Sequence, residues 1–310
     1  MSHPSDDGTA TTTALPIPTK GHGLRWDAAR RSWWWTHPQS ASLYSWAEEE
    51  GSPVRRRFLD AVHTVAPCAS GRLLLGFAKK LCLLTLPMRG ASGKAHLPET
   101  TVLCVVDAAE PRTVIGDGRT DRSGRFVFGT RNIGADQRPI GSFFQYSAEY
   151  GVRRLALPAV VSAGAICFSA DGKTLYFADA AHGILHAANY DSDLASVGGL
   201  RPFVAAAQSA ATVHDALVDQ QGCVWIAQGT GGTHGALARH GPDGARLCAI
   251  ALPDRSPASM AFGGDALDTL MLTGVRGGFR AASPAGATGC ADTPFDDCAL
   301  TAADPLTTRR

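Results

Sequence analysis

The chain has 310 residues, 45% hydrophobic and 18% charged, enough apolar material for one large or two ordinary domains and too much for a disordered polymer. Its 29 Lys and Arg against 28 Asp and Glu leave a formal charge of +1, which provides no field to attract nucleic acid or an anionic membrane. No run reaches the roughly 18 consecutive apolar residues of a membrane helix; the best stretch, Leu73 to Leu86, is broken by Lys79 and Lys80.

Residues 1–20 are polar and without strand pattern, and they lack the basic start and apolar core of a signal peptide. They are expected to be disordered, and the protein cytoplasmic. From residue 21 a turn followed at once by an apolar strand recurs six times: RRSWWW (30–35), SGRLLLG (70–76), SGRFVFG (123–129), DGKTLYFA (171–178), QGCVWIA (221–227) and LDTLMLT (267–273). The turn glycines Gly71, Gly124, Gly172 and Gly222 fall 53, 48 and 50 residues apart. Apolar segments such as AICF (165–168) and ALV (216–218) precede the turns, so each unit reads as a hairpin. Sheets of this size bury their faces only by stacking around an axis, which predicts an all-β, six-bladed β-propeller over residues 21–280. Trp33, Trp34, Trp35 and Trp225 are then expected in blade packing.

Residues 281–310 have few bulky apolar side chains and read as a low-complexity end. The eight cysteines include no CxxC pair, which suits small buried hydrophobes in reduced form, while Cys290 and Cys298 in the tail read as solvated and unpaired or as a pair formed under oxidation. GASGK (90–94) and GTGGTHG (229–235) lack the spacing or the strand–turn–helix setting of phosphate loops and read as turns.

The segments GHGLRWD (21–27), DGRTDRSGRFVFGT (117–130), AGAICFSADGKTLYFAD (163–179), HDALVDQQGCVWIA (214–227) and AFGGDALDTL (261–270) resemble the SMP-30/gluconolactonase/regucalcin family, over all but the two ends. The resemblance implies a six-bladed propeller with one divalent ion, often calcium or zinc, at a central site that hydrolyses sugar lactones. The chain departs from the family at that site. His22 stands where the family has a ligand Glu, and Val114 and Gly116 stand where it has the Arg and Asn that contact substrate. Ala163 replaces a ligand Asn, and Val213, His214 and Asp215 replace a ProAspGly whose Asp is ligand and base.

Spacing from the turns places these positions in three dimensions, because equal offsets in equal blades lie at equal heights around the axis. His22 and Ala163 lie nine residues before their turns, and Gly116 and His214 eight. The same offset in the second unit falls on His63. His22, His63 and His214 are therefore expected at the channel mouth. Three imidazoles suit Zn²⁺ with water in the fourth position better than calcium, which prefers six or more oxygens. Asp117 and Asp215 would orient an imidazole or take a proton from water. The same histidines also read as a polar channel lining with no ion.

Two functional readings follow. One is a metal-assisted hydrolase of a sugar lactone or related cyclic ester, and the other a non-catalytic propeller that binds a small metabolite. Either has a small-molecule partner, with no nucleic acid and no membrane.

Overall fold

In the computed structural model, each of the six repeated units forms the second strand of a four-stranded antiparallel sheet. The structure describes residues 12–15, 20–86, 97–180, 182–205, 212–232, 234–252, 254–275, 277–282 and 284–300. The first strand, β1 (Thr12–Leu15), belongs to the last blade. Blade 1 holds β2 (His22–Asp27), β3 (Ser32–His37), β4 (Ser42–Trp46) and β5 (Val54–Arg57). Blade 2 holds β6 (Val62–Pro67), β7 (Leu73–Phe77), β8 (Lys80–Leu84) and β9 (Thr100–Val105). Blade 3 holds β10 (Thr113–Thr120), β11 (Phe126–Asn132), β12 (Phe143–Ser147) and β13 (Gly151–Arg154). Blade 4 holds β14 (Ala163–Phe168), β15 (Thr174–Asp179), β16 (Ile184–Asp191) and β17 (Ser196–Ala205). Blade 5 holds β18 (Thr212–Val218), β19 (Val224–Gly229), β20 (Gly235–His240) and β21 (Arg246–Leu252). Blade 6 holds β22 (Pro257–Gly263), β23 (Thr269–Gly274) and β24 (Gly277–Ala282), with β1 as its outer strand.

The turn between the first two strands of each blade needs a left-handed residue. Gly71, Gly124, Gly172 and Gly222 supply it at φ between 73° and 84°, while Arg31 and Leu267 take it at 51° and 53° in blades 1 and 6. Two of these turns are fixed by a fully buried aspartate: Asp121 accepts from the Ser123 and Arg125 amides, and Asp219 from those of Gln221 and Cys223. Apolar side chains of adjacent blades interdigitate, as where Trp33 and Trp35 of blade 1 pack with Met271 of blade 6. Trp33, Trp34, Trp35 and Trp225 are all buried, so they serve blade packing as expected.

Both ends differ from the sequence reading. Thr12–Leu15 lies within the segment expected to be disordered, yet it pairs antiparallel with Ala281 to Gly278 of β24 and completes blade 6. The rest of the expected disorder, residues 1–11 and 16–19, lies outside the described residues. The C-terminal stretch crosses the turn end of the channel. Gly289 bridges to Asp219, Asp292 pairs with Arg119 at 2.9 Å, and Phe295 is fully buried among Phe126, Phe128 and Tyr146. Asp297, also fully buried, pairs with Arg72 at 2.7 Å. One aromatic ring and two paired carboxylates are enough to seat a segment whose composition is otherwise small and polar.

Deleting residues through Leu15 strips β24 of four paired positions and exposes it as a sheet edge. At about 1 kcal/mol per ladder hydrogen bond, the expected loss is about 2–4 kcal/mol, read as a lower urea midpoint. An unchanged midpoint would show that β1 is dispensable. Among the described residues no helix is long and apolar enough to cross a membrane.

Candidate active site

Each innermost strand has a register irregularity near its start, and this places the site. The breaks fall between His22 and Arg25, Val62 and Thr64, Ile115 and Gly118, Gly164 and Cys167, Val213 and Asp215, and Pro257 and Ser259. A bulge turns the strand and re-aims a side chain that regular pleating would send elsewhere. In β2 the local conformation is left-handed, with Gly23 at φ 59°. The outcome is a partly enclosed cavity of about 330 Å³ at the channel mouth, bordered by His22, His63, Asp117, His214 and Asp215 together with Lys20 and Arg131. All five residues singled out from spacing and resemblance border this one cavity.

The two carboxylates have different surroundings. Asp215 is 4% exposed, and its oxygens accept from three donors: the Ala216 amide at 2.8 Å, the Met260 amide at 2.8 Å and the Ser259 hydroxyl at 3.0 Å. The Leu24 amide donates to the Ser259 hydroxyl at 2.9 Å, which links blades 5, 6 and 1 beneath the cavity. Burial, and then the neighbouring Asp117 charge, pushes the Asp215 carboxyl up to about 6. Asp117 is more accessible, with a side chain 23% exposed. Its Oδ1 accepts from the Gly118 amide at 2.8 Å, while among the described residues Oδ2 meets only the Ile166 amide, at 3.4 Å.

Arg25 lies under this pair, 2% exposed, with Nη2 at 3.7 Å from Asp117 Oδ1. It donates to the Leu24 carbonyl at 2.6 Å and to the Gly118 carbonyl. Burial and the Arg119 charge push its guanidinium below its ordinary range, countered by Asp292, Asp117 and Asp215. The channel thus alternates in charge, from the carboxylates through Arg25 and Arg119 to Asp292 of the C-terminal segment.

The three imidazoles are neutral at pH 7. Burial, reinforced by Lys20 and Arg131, pushes His22 down to about 4. Burial and Arg131 do the same to His63, also to about 4. Burial and Lys20, partly offset by Asp254, bring His214 to about 4. Neutral rings can serve as metal ligands, but their arrangement here does not fit an ion. Among the described residues no three His, Cys, Asp or Glu side chains are grouped so as to hold one. His214 Nε2 already bonds the Thr212 hydroxyl at 2.9 Å, and the Arg131 cation stands close enough to act on both His22 and His63. The expected His22, His63 and His214 cluster therefore shares a cavity without converging on one point. Equal height does not fix side-chain direction. Calcium fits no better, since Ala163 has no donor and is 3% exposed.

Histidines held below their usual value of 6.5 contribute stability that is complete above that pH and lost as pH falls through about 4. Asp215, held above 3.8 at about 6, acts in the opposite sense: its contribution is present at low pH and lost as pH rises through 6. With three groups against one, the urea midpoint should fall between pH 6.5 and 4. A midpoint that rose on acidification would contradict the burial of the rings.

Sequence reasoning missed Lys20, Arg25, Arg131 and Ser259. Arg25 occupies a strand position between Leu24 and Trp26 whose burial is visible only in the closed ring, and Arg131 lies on a second strand, outside the offset pattern.

The structure is a six-bladed propeller with a polar, carboxylate-floored cavity at one end of its channel. The chain belongs to the SMP-30/gluconolactonase/LRE-like family, whose pattern it matches over residues 20–276. It is 32% identical over 269 residues to the L-arabinolactonase of Azospirillum brasilense, covering 85% of this chain and 83% of that one. It is 35% identical over 162 residues to the 6-deoxy-6-sulfogluconolactonase of Pseudomonas putida, covering 52% and 53% of the two chains. In fold it is similar to a luciferin-regenerating enzyme, with a TM-score of 0.83 at 19% identity over 93% of this chain and 99% of that one.

Proposed function

We propose that the protein hydrolyses a sugar lactone or related cyclic ester at the channel mouth, with Asp117 as proton acceptor. The observation that carries this is Asp117 Oδ2: a carboxylate oxygen at the floor of a ligand-sized cavity, engaged among the described residues by one long hydrogen bond. The family and the names of the two lactonase relatives supply the reaction class. Asp117 takes a proton from water as the water oxygen bonds to the lactone carbonyl carbon. The tetrahedral oxyanion receives hydrogen bonds from the N–H groups of neutral imidazoles among His22, His63 and His214. The ring C–O bond then breaks, the carbonyl re-forms, and the proton held on Asp117 passes to the leaving alkoxide, giving a hydroxy acid. Asp215 holds the floor in place through its three donors and contributes its charge.

Asp215 takes up a proton as pH falls through about 6, and the negative charge it contributes to the cavity floor is then lost. Hydrolysis should therefore decline as pH falls through about 6, the value to which Asp215 is raised. The test is release of acid from aldonolactones, followed by pH indicator or by the base needed to hold the pH constant. Turnover of several lactones with an acid limb near 6 supports the proposal, and binding without turnover moves the protein to the non-catalytic reading.

The zinc-like site on His22, His63 and His214 is supported by the neutrality of the three rings but not by their arrangement. Metal analysis of protein purified without chelator, and activity after dialysis against EDTA, separates the two routes. The route through Asp117 keeps its rate without metal. Eight free cysteines suit a reducing, cytoplasmic setting.

A further inference from the structure

Charge at the rim of the cavity is unbalanced. Arg131 is half-buried on β11, its backbone paired with Val114 of β10 and bridged to Ser162 of blade 4. Its Cδ lies 3.8 Å from where a Cβ would stand on Gly116, so the side chain runs along the cavity wall where an absent side chain leaves room. Lys20 borders the same cavity from the start of blade 1. The two cations flank His22, both acting on its ring. Neither makes an ion pair or side-chain hydrogen bond with any described residue, and burial alone accounts for the lowered Arg131 guanidinium, with no carboxylate countering it. The two acids of the floor are engaged elsewhere, Asp117 by Arg25 and Asp215 by its three donors. A half-buried guanidinium without a protein partner is costly unless a ligand brings the anion.

We infer that Arg131 and Lys20 form an anion subsite at the rim, which takes a carboxylate, phosphate or sulfonate carried on the lactone. The substrate is then an acidic sugar lactone rather than a neutral one. This rests on the lactonase reading for its substrate class. The other source of an anion is the carboxylate that ring opening itself creates, and the experiment separates the two.

Calorimetry compares binding of an aldonate, which has one terminal carboxylate, with the aldarate of the same carbon skeleton, which has two. If the subsite serves an anion that the substrate already bears, the aldarate binds the wild-type protein about ten-fold or more tightly than the aldonate. Arg131→Gln should bring the two within about three-fold of each other, and Arg131→Lys should restore part of the preference. Lys20→Gln, at the outer rim, gives a smaller loss in the same direction and serves if Arg131→Gln unfolds. Equal binding of the two acids by the wild type assigns the subsite to the product carboxylate and overturns the inference. A preference that survives Arg131→Gln in a folded variant, or no binding of either acid at millimolar concentration, overturns it as well. Because binding is read rather than turnover, failure of the lactonase reading appears separately, as absent hydrolysis with the preference for two carboxylates intact.

Discussion

Replacing Asp117 by Asn should lower kcat for lactone hydrolysis by about 10²–10⁴-fold, the usual range for loss of a positioned proton acceptor. The fold should survive. Asn keeps an oxygen to accept from the Gly118 amide, and the side chain is 23% exposed, so the lost charge is partly replaced by water. Asp215→Asn gives the contrasting result. Its carboxylate faces three donors and no acceptor, so an amide NH₂ placed there must confront an N–H or leave it unmatched, at a cost of about 1–3 kcal/mol. The expected pattern is a kcat defect with near-native unfolding for Asp117→Asn, and a stability defect accompanying any loss of rate for Asp215→Asn. If Asp117→Asn hydrolyses lactones at the wild-type rate, Asp117 is not the proton acceptor, and the water must be activated by another group at the cavity.

The distinction between the two acids was not legible in the sequence, although their place was. Six hairpins with a left-handed residue at the turn determine blade number and phase, and a fixed offset back from that turn finds the bulged position of each inner strand. This is why His22, His63, Asp117, His214 and Asp215 all border one cavity. Offset gives height around the axis but not rotamer, and the His214 ring is turned to Thr212 rather than to a shared metal point. Closure of the ring was also hidden. The Leu24 amide bonds a serine hydroxyl 235 residues away, and β1 reaches β24 across the whole chain. In both cases the sequence-local pattern is ordinary. At the C-terminus, composition misled because Phe295 and Asp297 are single residues in a small, polar stretch, and their burial depends on pockets left by blades 2 and 3.

Arg25 is the residue whose removal should reach furthest. Its guanidinium is a fixed cation below two carboxylates, with no solvent to replace it. Arg25→Met keeps much of the volume and removes the charge. Breaking a buried charge pair costs about 3–5 kcal/mol when the partner stays buried. Asp215 stays buried, while Asp117 can recover some hydration and Arg119 is relieved of a like charge, so the lower end of that range is expected. The second effect is on titration. With the Arg25 cation gone, Asp215 holds its proton to higher pH, and the acid limb of kcat/KM should move upward from about 6 by a unit or more. Activity at pH 6 is then lost more severely than at pH 8. Arg25→Lys should recover part of the shift, because an ammonium restores the charge but not the two carbonyl contacts. A folded Arg25→Met variant with an unmoved acid limb would mean that Asp215 owes its titration to burial, Asp117 and Arg119, and would remove Arg25 from the electrostatics of the site.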